Sequence, residues 1–207
     1  MDKKLLADLY SSAIALESEG NQEVEIEHSF VCRCTDKSFL SKAEKMVTME
    51  QYEIRSIRSE DGLNAVLRMR ATQEGEDDVE YMFATKVYQK DGGCHETELL
   101  VTVDLFNAFK QMAPFGSKKK RHYLKDESDR TWEIDVYSDD EGNDYEWFRA
   151  ELEVMQMEGI PNLPFECDEV IYTNDADEAT RTKVDGLHQK YFSISNPDNI
   201  APILTPM

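Results

Sequence analysis

The segment EVEIEHSF, residues 23–30, decides the fold, because its charged and apolar residues alternate one by one. Side chains two residues apart in a β-strand point to the same face of the sheet. Glu25 and Glu27 therefore share one face, and the apolar residues Val24 and Ile26 share the other. Glutamate is a poor strand former, so a row of glutamates inside a clear strand pattern predicts a charged environment opposite that face.

Pairs of like charges at the same spacing recur along the chain, in other segments with a strand-like pattern. Like charges about 7 Å apart on one face repel each other unless opposite charges lie nearby. Any single pair is also explained by a solvated sheet face. The whole set, with Lys86, is explained by a barrel whose lumen contains both signs of charge. The pairs are Arg68/Arg70, Glu96/Glu98, Lys119/Arg121, Glu133/Asp135 and Glu151/Glu153.

The remaining periodicity predicts an α+β fold: an antiparallel eight-stranded β-barrel, or tunnel, with helices packed outside. We expect an N-terminal helical extension over 1–22, one domain over 23–195 and a loose C-terminal tail over 196–207. Turns are predicted at 59–62 and 90–93. Helices are predicted at 3–18, 36–47, 103–112 and 175–190. Further strands are predicted at 50–58, 63–73, 79–89, 95–102, 118–125, 130–138, 146–157 and 168–173.

The composition limits the partners that this protein can have. The chain has 207 residues and a formal charge of −20, so its surface repels duplex nucleic acid and anionic lipid. No apolar run is long enough to span a membrane. The sequence shows no secretion signal, and its four cysteines are irregularly spaced, so we expect reduced thiols and a cytoplasmic location. A phosphate ligand would require a local concentration of lysine and arginine.

Seven short motifs, in order, resemble those of the CYTH, or triphosphate tunnel metalloenzyme, superfamily. The resemblance extends from about residue 23 to residue 190 and implies an antiparallel barrel that forms a tunnel. The matching segments are VEIEHSF at 24–30, similar to E-x-E-x-K; LRMR at 67–70; FATK at 83–86; ETE at 96–98; KKRHY at 119–123; WEIDVY at 132–137; and AELE at 150–153.

The resemblance implies a metal-dependent hydrolase of a triphosphate, either inorganic tripolyphosphate or a nucleoside triphosphate, with Mg²⁺ or Mn²⁺ as cofactor. The resemblance is also compatible with a homodimer. Carried over by position, the metal ligands would be Glu25, Glu27, Glu151 and Glu153. The catalytic carboxylates would be Glu25, Glu27, Glu96 and Glu98, supported by Glu133 and Asp135. The phosphate ligands would be Arg68, Arg70, Lys86, Lys119 and Arg121.

One position departs from the family pattern, since the lysine of E-x-E-x-K is replaced by Ser29. A serine carries no positive charge, and loss of such a contact typically costs about 10²–10³ in rate. Lower activity, binding without turnover, or a substitute lysine would each account for the change. Lys183 and Lys190 are the candidate substitutes. His28 alternates away from the glutamates, so we expect it to point out of the lumen as an ordinary surface or strand histidine.

Three other functions fit the same pattern. The chain could bind a triphosphate without hydrolysing it, or act as a class IV adenylyl cyclase, in which a ribose 3′-hydroxyl attacks the phosphate. It could also be a structural acidic β-protein that works through protein contacts. The last of these predicts charged sheet faces that point outward and leave no lumen.

Overall fold

The structure is a computed structural model and describes residues 24–58, 64–88 and 94–195. The expected helix at 3–18, the C-terminal tail and the turns at 59–62 and 90–93 lie outside the described residues. The backbone of Glu25 is described, but its side chain is not. In the described residues, none of the helices has the length and apolar character that a membrane crossing requires.

Strands dominate the described part of the chain, and most of them match the predicted segments. The strands are β1 (Val24–Glu25), β2 (Glu27–Arg33), β3 (Lys45–Arg58), β4 (Asn64–Glu74), β5 (Glu80–Tyr88), β6 (Cys94–Leu100), β7 (Phe115–Lys125), β8 (Thr131–Ser138), β9 (Asp144–Glu153), β10 (Glu169–Tyr172) and β11 (Ile194–Ser195). The helices are a 3₁₀ turn (Ser38–Lys42), α1 (Val103–Lys110), α2 (Glu178–Leu187) and a π-helical turn (His188–Phe192).

The strands form one antiparallel sheet in the order β1-β6-β5-β4-β3-β7-β8-β9-β2-β10, with β11 paired to β7. This confirms the predicted antiparallel α+β architecture. The pairing order is open, so the structure does not show the expected closed eight-stranded barrel. It also contains more than eight strand segments in the described residues: β1 and β2 are separate within the first predicted strand, and the short strand β11 was not predicted.

The predicted helix at 36–47 is wrong. Only residues 38–42 form a 3₁₀ turn, and β3 already begins at Lys45. The backbone of Lys45 pairs with Tyr123 of β7, and Val47 pairs with Glu74 of β4, so two neighbouring strands extend β3 toward its N-terminus. Tertiary pairing thus overrides a local preference for helix in this segment.

Most apolar positions of the strands face away from the charged ones and pack in two outer clusters, while a third cluster, with Val31, Tyr137 and Trp147, packs against the C-terminal helical segment. Phe30, Trp132 and Phe148 belong to the cluster over β2, β8 and β9. Met69 belongs to the cluster over β4 and β5, which α1 covers with Phe106 and its neighbour Phe109. Thr102 caps α1 by accepting a hydrogen bond from the amide of residue 105. The two faces of the sheet therefore differ: apolar side chains lie outside, under helix and loops, and the opposite face carries the charged side chains beside the third apolar cluster.

Candidate functional site

The charged face of the sheet lines a cavity of about 1230 Å³. With one exception, every residue assigned a role from the sequence contributes to this lining. The exception is Glu25, whose side chain is outside the described residues; its backbone pairs with Cys94 in β6. The lining set is Glu27, Arg68, Arg70, Lys86, Glu96, Glu98, Lys119, Arg121, Glu133, Asp135, Glu151 and Glu153.

Acidic side chains outnumber basic ones in the described lining of this cavity. Ten aspartates and glutamates and seven lysines and arginines are present, which leaves a formal excess of three negative charges. An interior with both signs of charge is expensive to form unless opposite charges are paired closely. The cavity therefore contains two groups of ion pairs, one on β4–β6 and one on β7–β9.

Asp135 on β8 is the centre of the second group and is only 2% exposed. It accepts hydrogen bonds from Lys119 Nζ at 2.5 Å and from Arg121 Nε and Nη2 at 2.7 and 2.8 Å. Burial alone would raise the pKa of Asp135, but the two cations outweigh burial and hold that pKa well below its usual range. Because its carboxylate is saturated by two cations, Asp135 is built to position Lys119 and Arg121.

Arg121 extends the same group toward two further carboxylates. It forms an ion pair with Glu133 and approaches Glu151, with Nη2 3.6 Å from Oε2. Glu133 and Glu151 stand directly opposite each other on β8 and β9. Burial raises the pKa of Glu133 despite the nearby Arg121. Two facing carboxylates in a buried setting repel each other, so an additional cation between them would be stabilised.

The first group joins β4, β5 and β6. Arg68 forms an ion pair with Glu96, whose other oxygen lies 2.7 Å from Lys86 Nζ. Arg70 Nη2 lies 2.8 Å from Glu98. The Nε atoms of Arg68 and Arg70 are buried and, in the described residues, have no hydrogen-bond partner. An unsatisfied buried donor is costly, so these two guanidinium groups are suited to an acceptor that the protein alone does not supply.

The chemistry of the donors suits a hard divalent cation, although the described residues do not contain a preformed cage. Glu27 lies directly opposite Glu153 across β2 and β9, beside the facing pair Glu133 and Glu151. No group of three histidine, cysteine, aspartate or glutamate side chains converges as a metal site in the described part of the chain. Mg²⁺ is usually held by one or two carboxylates together with substrate phosphates, so this arrangement fits it when a phosphate ligand is present.

Arg149 on β9 is the main residue that the sequence reasoning missed. It lines the cavity, and its Nη2 lies 2.9 Å from Ser29 Oγ and 2.6 Å from Glu151 Oε1. The signal was available, because Arg149 precedes Glu151 by two residues. The predicted charged face rested on pairs of like charge at that spacing, whereas this pair has opposite charges.

The two lysines considered as substitutes at position 29 are located elsewhere. Lys183 on α2 forms an ion pair with Glu169, and Lys190 lies over the ring of Tyr191 with Nζ 4.7 Å from its centroid. Neither residue is in the lining of the cavity. That hypothesis is therefore wrong: neither lysine occupies the position left by the serine.

Two histidines, His28 and His188, have different positions relative to the cavity. His28 points away from the cavity as predicted, but it is buried at 2% exposure and its Nδ1 lies 2.9 Å from the hydroxyl of Tyr172. His188, at the end of α2, lines the cavity together with Asp185 and Phe192. The C-terminal helical segment thus contributes to the cavity as well as packing against the sheet, which the strand pattern could not predict.

No protein-family model matches the sequence, and no curated protein sequence matches it. Solved structures do show a likeness. The inorganic triphosphatase NE1496 matches at 19% identity over 75% of this chain and 91% of its own, with a TM-score of 0.43. HpAC1 from Hippeastrum, an adenylyl cyclase by name with a dominant triphosphatase activity, matches at 12% identity over 64% and 80%, with a TM-score of 0.44.

Proposed function

We propose that this protein hydrolyses a triphosphate in the charged cavity, with Mg²⁺ or Mn²⁺ as cofactor. One observation carries the proposal: the acidic and basic pairs, scattered between Glu27 and Glu153 in the sequence, line a single cavity. Basic side chains bind phosphate oxygens and carboxylates bind hard divalent cations. A site that contains both is suited to a metal–polyphosphate complex.

The dimensions of the cavity support a ligand of this kind. Small-molecule sites typically occupy about 300–1,000 Å³, so a cavity of about 1230 Å³ has room for a triphosphate chain, cations and water. We propose further that the sheet curves into a tunnel. Residues 24–33 support this, because β1 pairs with β6 while the adjoining β2 pairs with β9, so one segment contacts both halves of the sheet.

Binding would proceed by an exchange of ion-pair partners. Without ligand, Glu96 neutralises Arg68 and Lys86, and Glu98 neutralises Arg70. A triphosphate would take over these basic groups and also accept hydrogen bonds from the unsatisfied guanidinium Nε atoms. The released carboxylates would then be available to orient a water molecule or a cation, which is the role expected for Glu96 and Glu98.

The negative excess of the cavity makes cations necessary for this exchange. A triphosphate without bound metal ions would be repelled by the excess of acidic side chains, so the cations must enter with it or before it. Glu27 and Glu153, with Glu151 and Glu25, would hold Mg²⁺ or Mn²⁺, which neutralises phosphate charge and activates water for attack at phosphorus. Lys119 and Arg121, fixed by Asp135, would contact the phosphate chain from β7.

The experiment is phosphate release from tripolyphosphate, ATP and GTP with Mg²⁺, Mn²⁺ or no metal. We expect metal-dependent release, and a loss of about 10²-fold or more in E27Q and in R68M. The matched control is E169Q, because Glu169 forms its ion pairs outside the cavity. No release with either metal, or equal activity in E27Q and E169Q, would contradict the hydrolase. Cyclic AMP as the product would indicate a cyclase, and tight binding without turnover would indicate a sequestering protein.

A further inference from the structure

We propose that Arg149 provides the phosphate-binding positive charge that the family resemblance implies at position 29. The inference rests on the proposed triphosphate site and adds a residue to it. In this chain the cation beside position 29 belongs to the neighbouring strand β9, and Ser29 is a small residue that leaves room for it.

The register of the strands brings the two positions together. Ser29 is directly opposite Glu151, and Arg149 is opposite Val31, so Arg149 and Ser29 are diagonal neighbours on one face. Long side chains reach across such a diagonal. The Arg149 guanidinium does so, because its Nη2 donates to Ser29 Oγ at 2.9 Å. The positive charge therefore lies over residue 29 although it belongs to another strand.

The backbone at Ser29 is held firmly. Its amide donates to Asn174 Oδ1 at 2.8 Å, and its carbonyl accepts from the amide and the hydroxyl of Thr173, each at 3.0 Å. Ser29 is itself only 5% exposed. A lysine side chain at position 29 would have to enter the space that the Arg149 guanidinium occupies, and the two cations would repel each other. Serine at 29 and arginine at 149 are thus a matched pair.

The surroundings of Arg149 keep it charged and directed into the cavity. Its side chain is 29% exposed and forms an ion pair with Glu151 at 2.6 Å. Burial alone would lower the pKa of Arg149, but the negative charge of Glu151, with a smaller effect from Glu27, keeps that pKa above its ordinary value. The contacts of Arg149 with Ser29 and Glu151 both use Nη2. A guanidinium has five N–H donors in a planar fork that suits phosphate.

The matched pair makes a prediction that separates it from a simple loss of lysine at position 29. If the site lacks a cation, S29K alone should improve binding of a triphosphate. If Arg149 supplies the cation, S29K should bring no gain because it places a second cation beside the first. R149M should weaken binding, and the double variant S29K/R149M should recover it.

The experiment measures calorimetric binding of imidotriphosphate, a non-hydrolysable analogue, with Mg²⁺, and in parallel KM and kcat for tripolyphosphate. We expect R149M to bind about 10- to 100-fold more weakly, since the loss of a hydrogen bond to a charged group lowers affinity by about that factor. We expect S29K/R149M to return to within about fivefold of wild type. R33M is the control, because Arg33 lies on β2 but contacts Glu169 and Trp147 outside the lining. Circular dichroism checks that each variant folds. If R149M does not fold, R149K is measured in its place.

Binding by R149M equal to that of R33M, or a gain of tenfold or more in S29K alone, would overturn the role of Arg149 and leave the proposed function intact. A wild-type protein that binds no imidotriphosphate and hydrolyses no tripolyphosphate would overturn the proposed function itself. The two failures therefore give different results.

Discussion

Arg121 and Asp135 form a two-bonded ion pair across β7 and β8, with Nε to Oδ1 at 2.7 Å and Nη2 to Oδ2 at 2.8 Å. The parallel geometry is the strongest form of the guanidinium–carboxylate contact. Lys119 joins the same carboxylate, so one buried acid neutralises two cations. The pair fixes the orientation of both basic residues before any ligand is present.

Replacing Asp135 by asparagine should destabilise the fold. D135N leaves two buried cations without their counter-charge, and the loss of one partner from a buried ion pair costs about 3–5 kcal/mol. We expect the free energy of unfolding in urea to fall by that amount. D140N is the control: Asp140 also pairs with a β7 lysine, Lys118, but at the surface, so its change should be below about 1 kcal/mol. Equal losses in the two variants would contradict the role of Asp135.

The contribution of Asp135 to the free energy of unfolding should be lost as the solution becomes acidic. Its pKa in the folded protein is lower than the unfolded value of about 3.9, so the stabilisation is complete above that value. As the pH falls below about 4 toward the folded pKa, the stabilisation is lost. The difference in unfolding free energy between wild type and D135N should narrow as the pH falls from 5 into acid, where wild-type Asp135 becomes protonated. A difference that already narrows between pH 7 and 6 would show that another group is responsible.

Binding of a triphosphate should weaken in alkaline solution because of Lys119. Burial, assisted by the neighbouring Arg121, lowers the pKa of Lys119 to about 8, whereas Asp135 and Glu151 oppose the shift. The protonated form binds phosphate, so affinity should be steady below about pH 7 and should decline as the pH rises through about 8. Calorimetric titration of imidotriphosphate from pH 6.5 to 9.5 measures this decline. K119M should bind imidotriphosphate more weakly, and its affinity should not change with pH in this range. A wild-type affinity that stays constant to pH 9.5 would contradict the role of Lys119.

Two glycines should respond to alanine in opposite ways. A Cβ at Gly116 of β7 would lie 2.8 Å from Tyr52 Cε1, and that ring is held against Phe106 and by a hydrogen bond from its hydroxyl to Glu50. Overpacking of this kind costs about 1–3 kcal/mol, so the melting temperature of G116A should fall. Gly186 is exposed in α2 with open space around it, and G186A should gain up to about 1 kcal/mol. If calorimetry showed the same change in melting temperature for G116A and G186A, the close packing at Gly116 would be contradicted.

The faces of the strands could be predicted well, and their extents less well. Alternation predicted that Arg68, Glu96 and Glu151 share one charged face, and each of these side chains lines the cavity. The start of β3 was missed because strand pairing with β7, rather than any local pattern, extends it to Lys45. The contribution of His188 was missed because a helix at the end of the chain reaches the cavity only through packing.

The sequence by itself determined which side chains face together, because a period of two is a property of the local backbone and survives any arrangement of the strands. Only the tertiary structure decided which charges meet. Register pairs Lys86 with Glu96 and brings Arg149 over Ser29, although these last two residues are 120 positions apart. Charges separated by so many residues interact only when the backbone hydrogen bonds of the sheet align their strands. That alignment places the guanidinium of Arg149, on β9, beside Ser29.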